Sequence, residues 1–304
     1  MKRLAGQKEN LLLPLLILRI KNIMKDELGE RIKSQYEHRT RFSVPRRTYT
    51  IIRLDGKAFH TYTKGLEKPF DINLIEDMDK SVVSIMSEIQ GAQFAYVQSD
   101  EISILLTDFE KPTTDAWFDG NIQKIVSVSA SLITAEFNKF RTQRFIDHKS
   151  INVIGGEYEL AYFDSRVFTI PDPTEVMNYF IWRNNDAARN SVSMVAQSLY
   201  SHKELQSKST VEMQEMIFQK GINWSTYNEG QKNGRLVVKE HYHGKSEYLP
   251  DSDKSSLRKT QDVFEGIPSR IETYYPLRSR WVIKDAWKFT QDKEKLMEMI
   301  PKYN

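Results

Sequence analysis

The 304 residues of this chain have the composition of an ordinary globular protein, with 39% hydrophobic residues, 28% charged residues and a formal net charge of +3. This length is enough for one large domain or two smaller ones. Because the chain has no cysteine, disulfide bonds, thiolate zinc sites and cysteine nucleophiles are excluded, and a metal ion would need oxygen or imidazole ligands. The near balance of 44 Lys and Arg against 41 Asp and Glu neither requires nor excludes a nucleic-acid partner.

Residues 1–23 are expected to form an extension separate from the functional part. Their apolar run, residues 11–20, is too short to cross a bilayer and contains Pro14. A weak signal peptide stays open as an alternative because basic residues precede this run, although no small-residue cleavage site follows it. We therefore expect a cytoplasmic protein with no membrane role, whose functional part begins near Met24.

Residues 49–91 predict a strand followed by a helix. The stretch 49–55 is rich in β-branched and apolar residues and stops at the turn pair Asp55-Gly56, which is typical of a strand end. Over residues 75–89 the apolar side chains recur at spacings of three and four, which is the pattern of one helix face. Gly91 then predicts the end of this helix.

The next elements are a hairpin, a second helix and a further strand. Residues 94–97 and 102–106 are strand-like, and the polar residues Gln98-Ser99-Asp100-Glu101 between them predict a hairpin tip. A helix is predicted over residues 117–137 and a strand over residues 163–170. The order β-α-β-β-α-β is that of a ferredoxin-like α+β fold, with an antiparallel sheet and both helices on one of its faces.

This arrangement predicts that acidic residues converge. A right-handed first crossover makes strands one and two parallel and puts strand three antiparallel between them. Asp55, at the end of strand one, then neighbours Asp100 and Glu101 at the hairpin tip. Clustered carboxylates raise each other's pKa unless a cation neutralises them, and oxygen ligands suit Mg²⁺. Two such ions, about 3.5–4 Å apart, would clamp the attacking and leaving oxygens in phosphoryl or nucleotidyl transfer.

Each of these motifs also has a purely structural explanation. Asp-Gly is a common turn pair, and Ser, Asp and Glu are ordinary at hairpin tips, so only their joint placement favours a metal site. Residues 56–60 could cradle a triphosphate with backbone N–H groups, but they lack P-loop spacing. The basic run 31–47 is compatible with RNA contact and is more often a solvated helix face. Asn233-Gly234 predicts a hairpin turn, which would leave Lys232 and Arg235 as incidental flanking charges.

Six short motifs, taken in order and spacing, resemble the tRNA-histidine guanylyltransferase family. The resemblance covers about residues 28–240 and implies a palm-like catalytic domain, as in polymerases, that extends RNA in the reverse, 3′-to-5′ direction. The motifs are RLDGKAFH (53–60), KPFD (68–71), QSDEIS (98–103), FDSRV (163–167), WRNND (182–186) and KNGR (232–235).

The resemblance implies a role for particular residues. The catalytic carboxylates would be Asp55, Asp100 and Glu101, and the ligands of two Mg²⁺ ions would be Asp55, Asp100 and the Gly56 carbonyl. The nucleotide-binding set would be Asp55, Gly56, Lys57, Ala58, Phe59, His60, Lys68, Asp71, Ser99 and Asp100. Activation of the 5′ end would use Lys124 and Arg166, and tRNA binding would use Asp186, Asn190, Asn223, Lys232 and Arg235.

The implied reaction begins with ATP, which adenylylates a tRNA 5′-monophosphate; the 3′-hydroxyl of an incoming nucleoside triphosphate, such as GTP, then displaces AMP. Family members are commonly tetrameric, so we expect a homo-oligomer. Eukaryotic members carry His-Ile-Asn-Asn-Leu-Tyr-Asn where this chain has residues 188–194, with Ala188 in place of the histidine, and they carry Arg at the position of Asn121. These departures resemble the Thg-like branch of bacteria, archaea and phages, which favours repair of 5′-truncated tRNA over dedicated guanylylation of tRNA-His.

The expected organisation has four parts and leaves two other functions open. A palm-type nucleotide cyclase would need the same carboxylates but would have no use for residues 174–240. A non-catalytic RNA-binding protein would keep the basic residues and could dispense with all three acidic ones. The four parts are an uncertain extension (1–23), a palm-like catalytic domain (24–170), tRNA-handling helices and a hairpin packed on the palm (171–250), and a C-terminal extension of unknown role (251–304).

Overall fold

A computed structural model describes residues 27–148, 159–243, 246–248, 272–274 and 277–303. The expectations for residues 1–23 lie outside these ranges. Within them, six strands form one antiparallel sheet and two short strands form a separate pair. The strands are β1 (Tyr49–Gly56), β2 (Ala92–Gln98), β3 (Glu101–Leu106), β4 (Phe163–Ile170), β5 (Arg235–His243), β6 (Ser246–Tyr248), β7 (Glu272–Tyr274) and β8 (Leu277–Asp285).

The large sheet has the order β4-β1-β3-β2-β5-β8, and β6 pairs with β7. The prediction that strand three lies between strands one and two, antiparallel to both, is confirmed. The strands predicted over residues 49–55 and 163–170 correspond to β1 and β4, and the predicted hairpin corresponds to β2 and β3. The end of β1 and the β2–β3 tip therefore lie at the same end of the sheet.

Helices surround this sheet, and several begin at side-chain caps. Asp71 caps α3 by accepting a hydrogen bond from the Leu74 N–H at 2.7 Å, and Asp172 caps α5, whose first residue is a proline. The helices are α1 (27–35), α2 (Phe59–Tyr62), α3 (Ile72–Ile85), α4 (Ile122–His148), α5 (Pro173–Leu199), α6 (His202–Leu205), α7 (Thr210–Gln219), α8 (Glu229–Asn233) and α9 (Lys293–Glu298).

The predicted boundaries of two helices are wrong. The helix predicted over residues 117–137 begins later and ends later, because Trp117–Gly120 form a 3₁₀ turn with φ of 51° at Phe118 and 54° at Asp119. These left-handed residues break the α-helix before α4, although the apolar spacing of the sequence continues through them. The helix predicted over residues 75–89 corresponds to α3, which ends at Ile85, well before Gly91. Gly91 has a φ of 79° in the turn that precedes β2.

The hairpin predicted at Asn233-Gly234 is also wrong. Asn233 is the last residue of α8, and Gly234 connects this helix directly to β5. Gly234 has a φ of 80°, and a Cβ there would lie 2.6 Å from the Tyr96 hydroxyl and from the Val97 carbonyl oxygen. The glycine is therefore required by a close backbone approach and a left-handed conformation, which a two-residue sequence pattern cannot distinguish from a hairpin turn.

Both faces of the sheet are covered. On one face α3 and α4 pack over the central strands, as predicted, and on the other face α5 and the C-terminal residues form a second apolar layer. Residues 277–303 thus extend the main sheet through β8 and close part of its core. No helix in the described ranges is long and apolar enough to cross a membrane. The first layer includes Leu54, Val82, Ile104, Ile133 and Phe137, and the second includes Ile51, Phe94, Phe180, Phe289 and Leu296.

Candidate active site at the ends of the central strands

The acidic site begins with Asp55, the last residue but one of β1. Side chains alternate along a strand, and Leu54 lies in the layer under α3 and α4, so Asp55 is on the face covered by α5. In the sheet register Asp55 is directly opposite Glu101 of β3 and Asp164 of β4. Residues directly opposite on neighbouring strands share a face, so three carboxyl groups line this end of the sheet.

Asp100 lies at the hairpin tip beside this row. The Gly56 N–H donates to the Asp100 carbonyl oxygen at 3.2 Å, which ties the tip to the end of β1. Burial raises the pKa of the Asp100 carboxyl to about 6; hydrogen bonds from its own backbone and from Ser99 oppose this shift, and the charges of Asp55 and Glu101 add to it. A carboxylate in these surroundings is stabilised by a bound cation.

The resemblance implies Asp55, Asp100 and the backbone carbonyl of Gly56 as the donors to a cation, and the structure brings these three residues to one strand end. No group of three or more His, Cys, Asp or Glu side chains in the described ranges is arranged as a metal site. Zinc needs three or four protein ligands, whereas Mg²⁺ keeps several waters and takes one or two carboxylates together with substrate phosphates. Two carboxylates and one backbone carbonyl oxygen, without His or Cys, therefore suit Mg²⁺ better than zinc.

Glu101 is not free. Its two carboxylate oxygens accept hydrogen bonds from Nε and Nη2 of Arg183 on α5, both at 2.6 Å, and Gln98 Nε2 donates to Oε1 at 3.2 Å. The Glu101 and Arg183 residues are only 9% and 6% exposed. Arg183 Nη2 also contacts Asp186 at 2.9 Å. Of the three predicted catalytic carboxylates, Glu101 is thus the one already bound to a cationic side chain.

The predicted triphosphate cradle is a tight turn after β1. A Cβ at Gly56 would lie 2.2 Å from the Phe59 ring, so glycine lets the chain fold back over this buried aromatic residue. The Lys57 N–H donates to the Tyr162 carbonyl at 2.8 Å, and Ala58, with a φ of 54°, precedes α2. Of the N–H groups in the predicted cradle, those of Gly56 and Lys57 thus already bond to carbonyl oxygens, and those of Phe59 and His60 are in the first turn of α2.

A pocket that is open to solvent adjoins Asp100 between α3 and α5. Its wall is largely apolar and includes Phe70 and Met194, and the predicted residues Asp71, Ser99, Asn190 and Arg235 also line it. Arg235 and Gln98 each leave one buried atom, Nη2 and Oε1, without a hydrogen-bond partner. This combination of apolar walls and a few polar groups is typical of a small-ligand site.

The two residues predicted for 5′-end activation are in different places. Arg166 is on β4, 53% exposed in its side chain, and directly opposite Arg53 of β1. Lys124 is exposed on the first turn of α4, beside Phe118. Contacts of Thr134 with Phe163 and of Ser129 with Ser165 show that the N-terminus of α4 points away from the Asp55 end of the sheet. Within one chain, only Arg166 is therefore near the acidic row.

The residues predicted for tRNA binding and for nucleotide contact outside the cradle are placed as follows. Asp186 contacts Arg183 and Arg189; burial opposes a low pKa, but the Arg189 hydrogen bond and both positive charges lower the pKa of this carboxyl. Asn223 caps a 3₁₀ turn by accepting from Ser225 N–H at 3.0 Å, and Lys68 is exposed. Lys232 is buried against Glu229 (2.7 Å), Arg235 is buried against Asp79 (2.6 Å), and Asp71 accepts from Glu67 N–H (3.2 Å).

Sequence analysis missed Arg53, Gln98 and Arg183 as individual residues of the site. Arg53 is two residues before Asp55 on the same face, and its buried Nε has no hydrogen-bond partner. The alternation along β1 would have placed Arg53 beside Asp55. No local pattern indicates that Arg183 reaches Glu101, which is 82 residues away in the chain.

Comparison with known proteins identifies the family. Residues 29–171 match the sequence model of the tRNAHis guanylyltransferase (Thg1) family. The chain is 36% identical to a bacterial tRNA(His) guanylyltransferase-like protein solved in complex with ATP, with a TM-score of 0.70 over 90% of this chain and 99% of that one. A bacterial structure of the same description in complex with GTP is 35% identical, with a TM-score of 0.66 and the same coverage of 90% and 99%.

A curated relative gives the same result. The tRNA(His) guanylyltransferase of Schizosaccharomyces pombe is 30% identical over 219 residues, which is 68% of this chain and 78% of the yeast protein. Relatives of this name transfer a nucleotidyl group. This chain therefore belongs to the tRNAHis guanylyltransferase family of nucleotidyltransferases.

Proposed function

We propose that this protein adds nucleotides to the 5′ end of tRNA in the 3′-to-5′ direction, through ATP-activated 5′ ends and with Mg²⁺. Repair of 5′-truncated tRNA is the activity that we favour over dedicated guanylylation of tRNA-His. The observation that carries the proposal is the position of Asp55 and Asp100 at one strand end, tied by the Gly56–Asp100 hydrogen bond, beside the pocket between α3 and α5. The ATP and GTP complexes of the bacterial relatives support nucleoside triphosphates as substrates.

The fold supports a ferredoxin-like, polymerase-palm interpretation of residues 24–170. The first four strands have the order β4-β1-β3-β2, and α3 and α4 pack on one face of them. Residues 171–250 would then handle tRNA from the opposite face, through α5 and the elements that follow it. The protein would work in the cytoplasm as a homo-oligomer.

The pocket between α3 and α5 would hold the nucleotide base. Its apolar walls suit the flat faces of a base, and the unpartnered donor of Arg235 and acceptor of Gln98 suit polar base edges. Ser99 and Asp100 line the same pocket and adjoin the 56–60 turn, so a base in the pocket would leave its phosphates near that turn and the acidic row. This arrangement would bring the reacting phosphate to Asp55 and Asp100.

The arginines beside the acidic row would bind phosphate. Arg53 and Arg166 lie directly opposite each other on β1 and β4, where like charges repel, and the exposed contact of Arg166 with Asp164 at 3.6 Å offsets part of this repulsion. An anionic 5′-phosphate or triphosphate between them would relieve this repulsion and would accept hydrogen bonds from both guanidinium groups. Bound Mg²⁺ would lower the pKa of the attacking hydroxyl and neutralise the charge that develops on the transferred phosphoryl group.

Filling the pocket tests the nucleotide assignment. Ala187 on α5 lines the pocket and is 7% exposed. Ala187→Phe should place a ring in the space of the base and weaken binding of a fluorescent ATP or GTP analogue by about tenfold or more. Ala188→Phe is the matched control, because the neighbouring residue does not line the pocket. Equal nucleotide affinity in the two variants would contradict the assignment.

The decisive experiment supplies the protein with Mg²⁺, ATP, all four nucleoside triphosphates and a labelled tRNA that lacks its first nucleotide, with intact tRNA-His in parallel. Extension of the truncated tRNA by the templated nucleotide supports 5′ repair, and extension of tRNA-His alone supports dedicated guanylylation. Failure to extend either RNA by folded protein would refute the proposal. A cyclic nucleotide formed from ATP without RNA would instead identify a cyclase.

A further inference from the structure

The pair of Arg183 and Glu101 connects α5 to the hairpin tip. Glu101 directly follows Asp100, and its carboxylate is held at both oxygens by one guanidinium group. The indole ring of Trp182 lies 4.4 Å from the Arg183 guanidinium carbon, and Asp186 contacts the same Nη2 as Glu101. The guanidinium group is therefore fixed on three sides, by two carboxylates and one aromatic face.

Another buried ion pair in the described ranges lacks that connection. Arg141 and Asp77, with side chains only 4% and 2% exposed, join α4 to α3 at 3.0 Å. Neither of these two residues is next in sequence or in sheet register to the acidic row. By contrast, Glu101 is opposite Asp55 in the register and is joined by a peptide bond to Asp100. Position, rather than burial, distinguishes the Arg183–Glu101 pair.

We propose that Arg183 is a positioning residue of the site: by clamping Glu101 it fixes the hairpin tip so that the Asp100 carboxylate faces Asp55, and Glu101 acts through this clamp, not as a further metal ligand. The bidentate geometry explains why arginine is used, since lysine would bind one oxygen at a time and leave the tip free to rotate. Partners behind metal-binding carboxylates orient the ligands in this way. The inference rests on the proposed metal-dependent function.

A double-mutant cycle tests the proposal with a measurement that needs no turnover. The variants are Glu101→Gln, Arg183→Met and the double variant, and the probe is Mn²⁺ alone, with free Mn²⁺ followed by electron paramagnetic resonance. Each single variant should weaken Mn²⁺ binding by about 10–100-fold. The double variant should bind Mn²⁺ no more weakly than the worse single variant, because both substitutions release the same clamp.

Arg141→Met is the matched control for loss of a buried ion pair. It should lower the melting temperature as Arg183→Met does, yet leave the Kd for Mn²⁺ within about twofold of wild type. Arg183→Lys supplies a second variant. Its loss of Mn²⁺ affinity should be smaller than that of Arg183→Met. If Arg183→Met does not fold, Arg183→Lys should still bind Mn²⁺ at least about threefold more weakly than wild type.

Two results would overturn the inference. One is unchanged Mn²⁺ affinity in folded Arg183→Met or Arg183→Lys. The other is a double variant whose fold-loss of Mn²⁺ affinity equals the product of the two single losses, together with a smaller number of bound ions in Glu101→Gln. Glu101 would then be a ligand in its own right. The proposed function fails separately, when wild-type protein binds Mn²⁺ measurably but extends no tRNA.

Discussion

Asp55→Asn and Asp100→Asn should each reduce nucleotide addition by about a thousandfold or more. Both carboxylates stand at the same strand end, and the Gly56–Asp100 hydrogen bond keeps them together. Replacing either carboxylate by an amide of nearly the same shape removes a negative charge and leaves the fold in place. The adenylylation and addition steps, measured separately with a labelled 5′-monophosphate and with a labelled nucleoside triphosphate, should both be lost, while tRNA binding survives.

Asp108→Asn is the matched control for this prediction. Asp108 is a buried carboxyl group beyond the opposite end of β3, where it accepts hydrogen bonds from Arg46 at 2.7 Å and from the Arg47 N–H at 2.7 Å. Its loss should lower stability and leave the chemistry per folded molecule unchanged. Near-normal turnover by either Asp55→Asn or Asp100→Asn would refute the metal assignment.

The melting temperature of Asp100→Asn separates a catalytic role of this carboxyl group from a structural one. Burial raises the pKa of the Asp100 carboxyl to about 6, so at neutral pH the fold holds a charge that the unfolded chain solvates better. Without metal, Asp100→Asn should therefore melt at the wild-type temperature or above it. Added Mg²⁺ should raise the melting temperature of wild type, because it binds only the folded state, and should raise that of the variant much less.

The acidic site could be predicted from sequence because its signals are local. Asp55 ends a strand at a glycine turn, and Asp100 is in the four polar residues between two apolar runs, so a single topological rule was enough to bring them together. Both residues lie at the same end of the sheet. Local turn chemistry and strand order thus carry most of the information about where these acids lie.

The rest depends on contacts that no local pattern encodes. Arg183 reaches Glu101 across 82 residues, and Arg235 reaches Asp79 across 156 residues. Each contact depends on how a helix or strand docks, which is fixed by packing over the whole second face of the sheet. The hairpin prediction at Asn233-Gly234 was wrong for a related reason. Glycine is required there by the close approach of Tyr96, and not by a type of turn.

Arg166→Ala should reduce the rate of 5′-end activation by about a hundredfold, while metal binding is preserved. Arg166 and Arg53 are opposite each other beside the acidic row, so removing one guanidinium group takes away half of the proposed phosphate site. The loss should be larger with a tRNA 5′-monophosphate than with a 5′-triphosphate, since only the monophosphate needs activation. The measurement is kcat/KM for both RNAs, together with the Kd for Mn²⁺.

Arg280→Ala provides the comparison for Arg166→Ala, because Arg280 is an exposed arginine on β8, at the opposite edge of the same sheet. It removes the same charge from the protein, so any general effect on RNA attraction is shared by the two variants. Arg53→Met should resemble Arg166→Ala, and the double variant should lose little more, because both arginines would hold one phosphate. Unchanged kinetics in Arg166→Ala would remove it from the site, and weakened Mn²⁺ binding would mean that it supports the carboxylates instead.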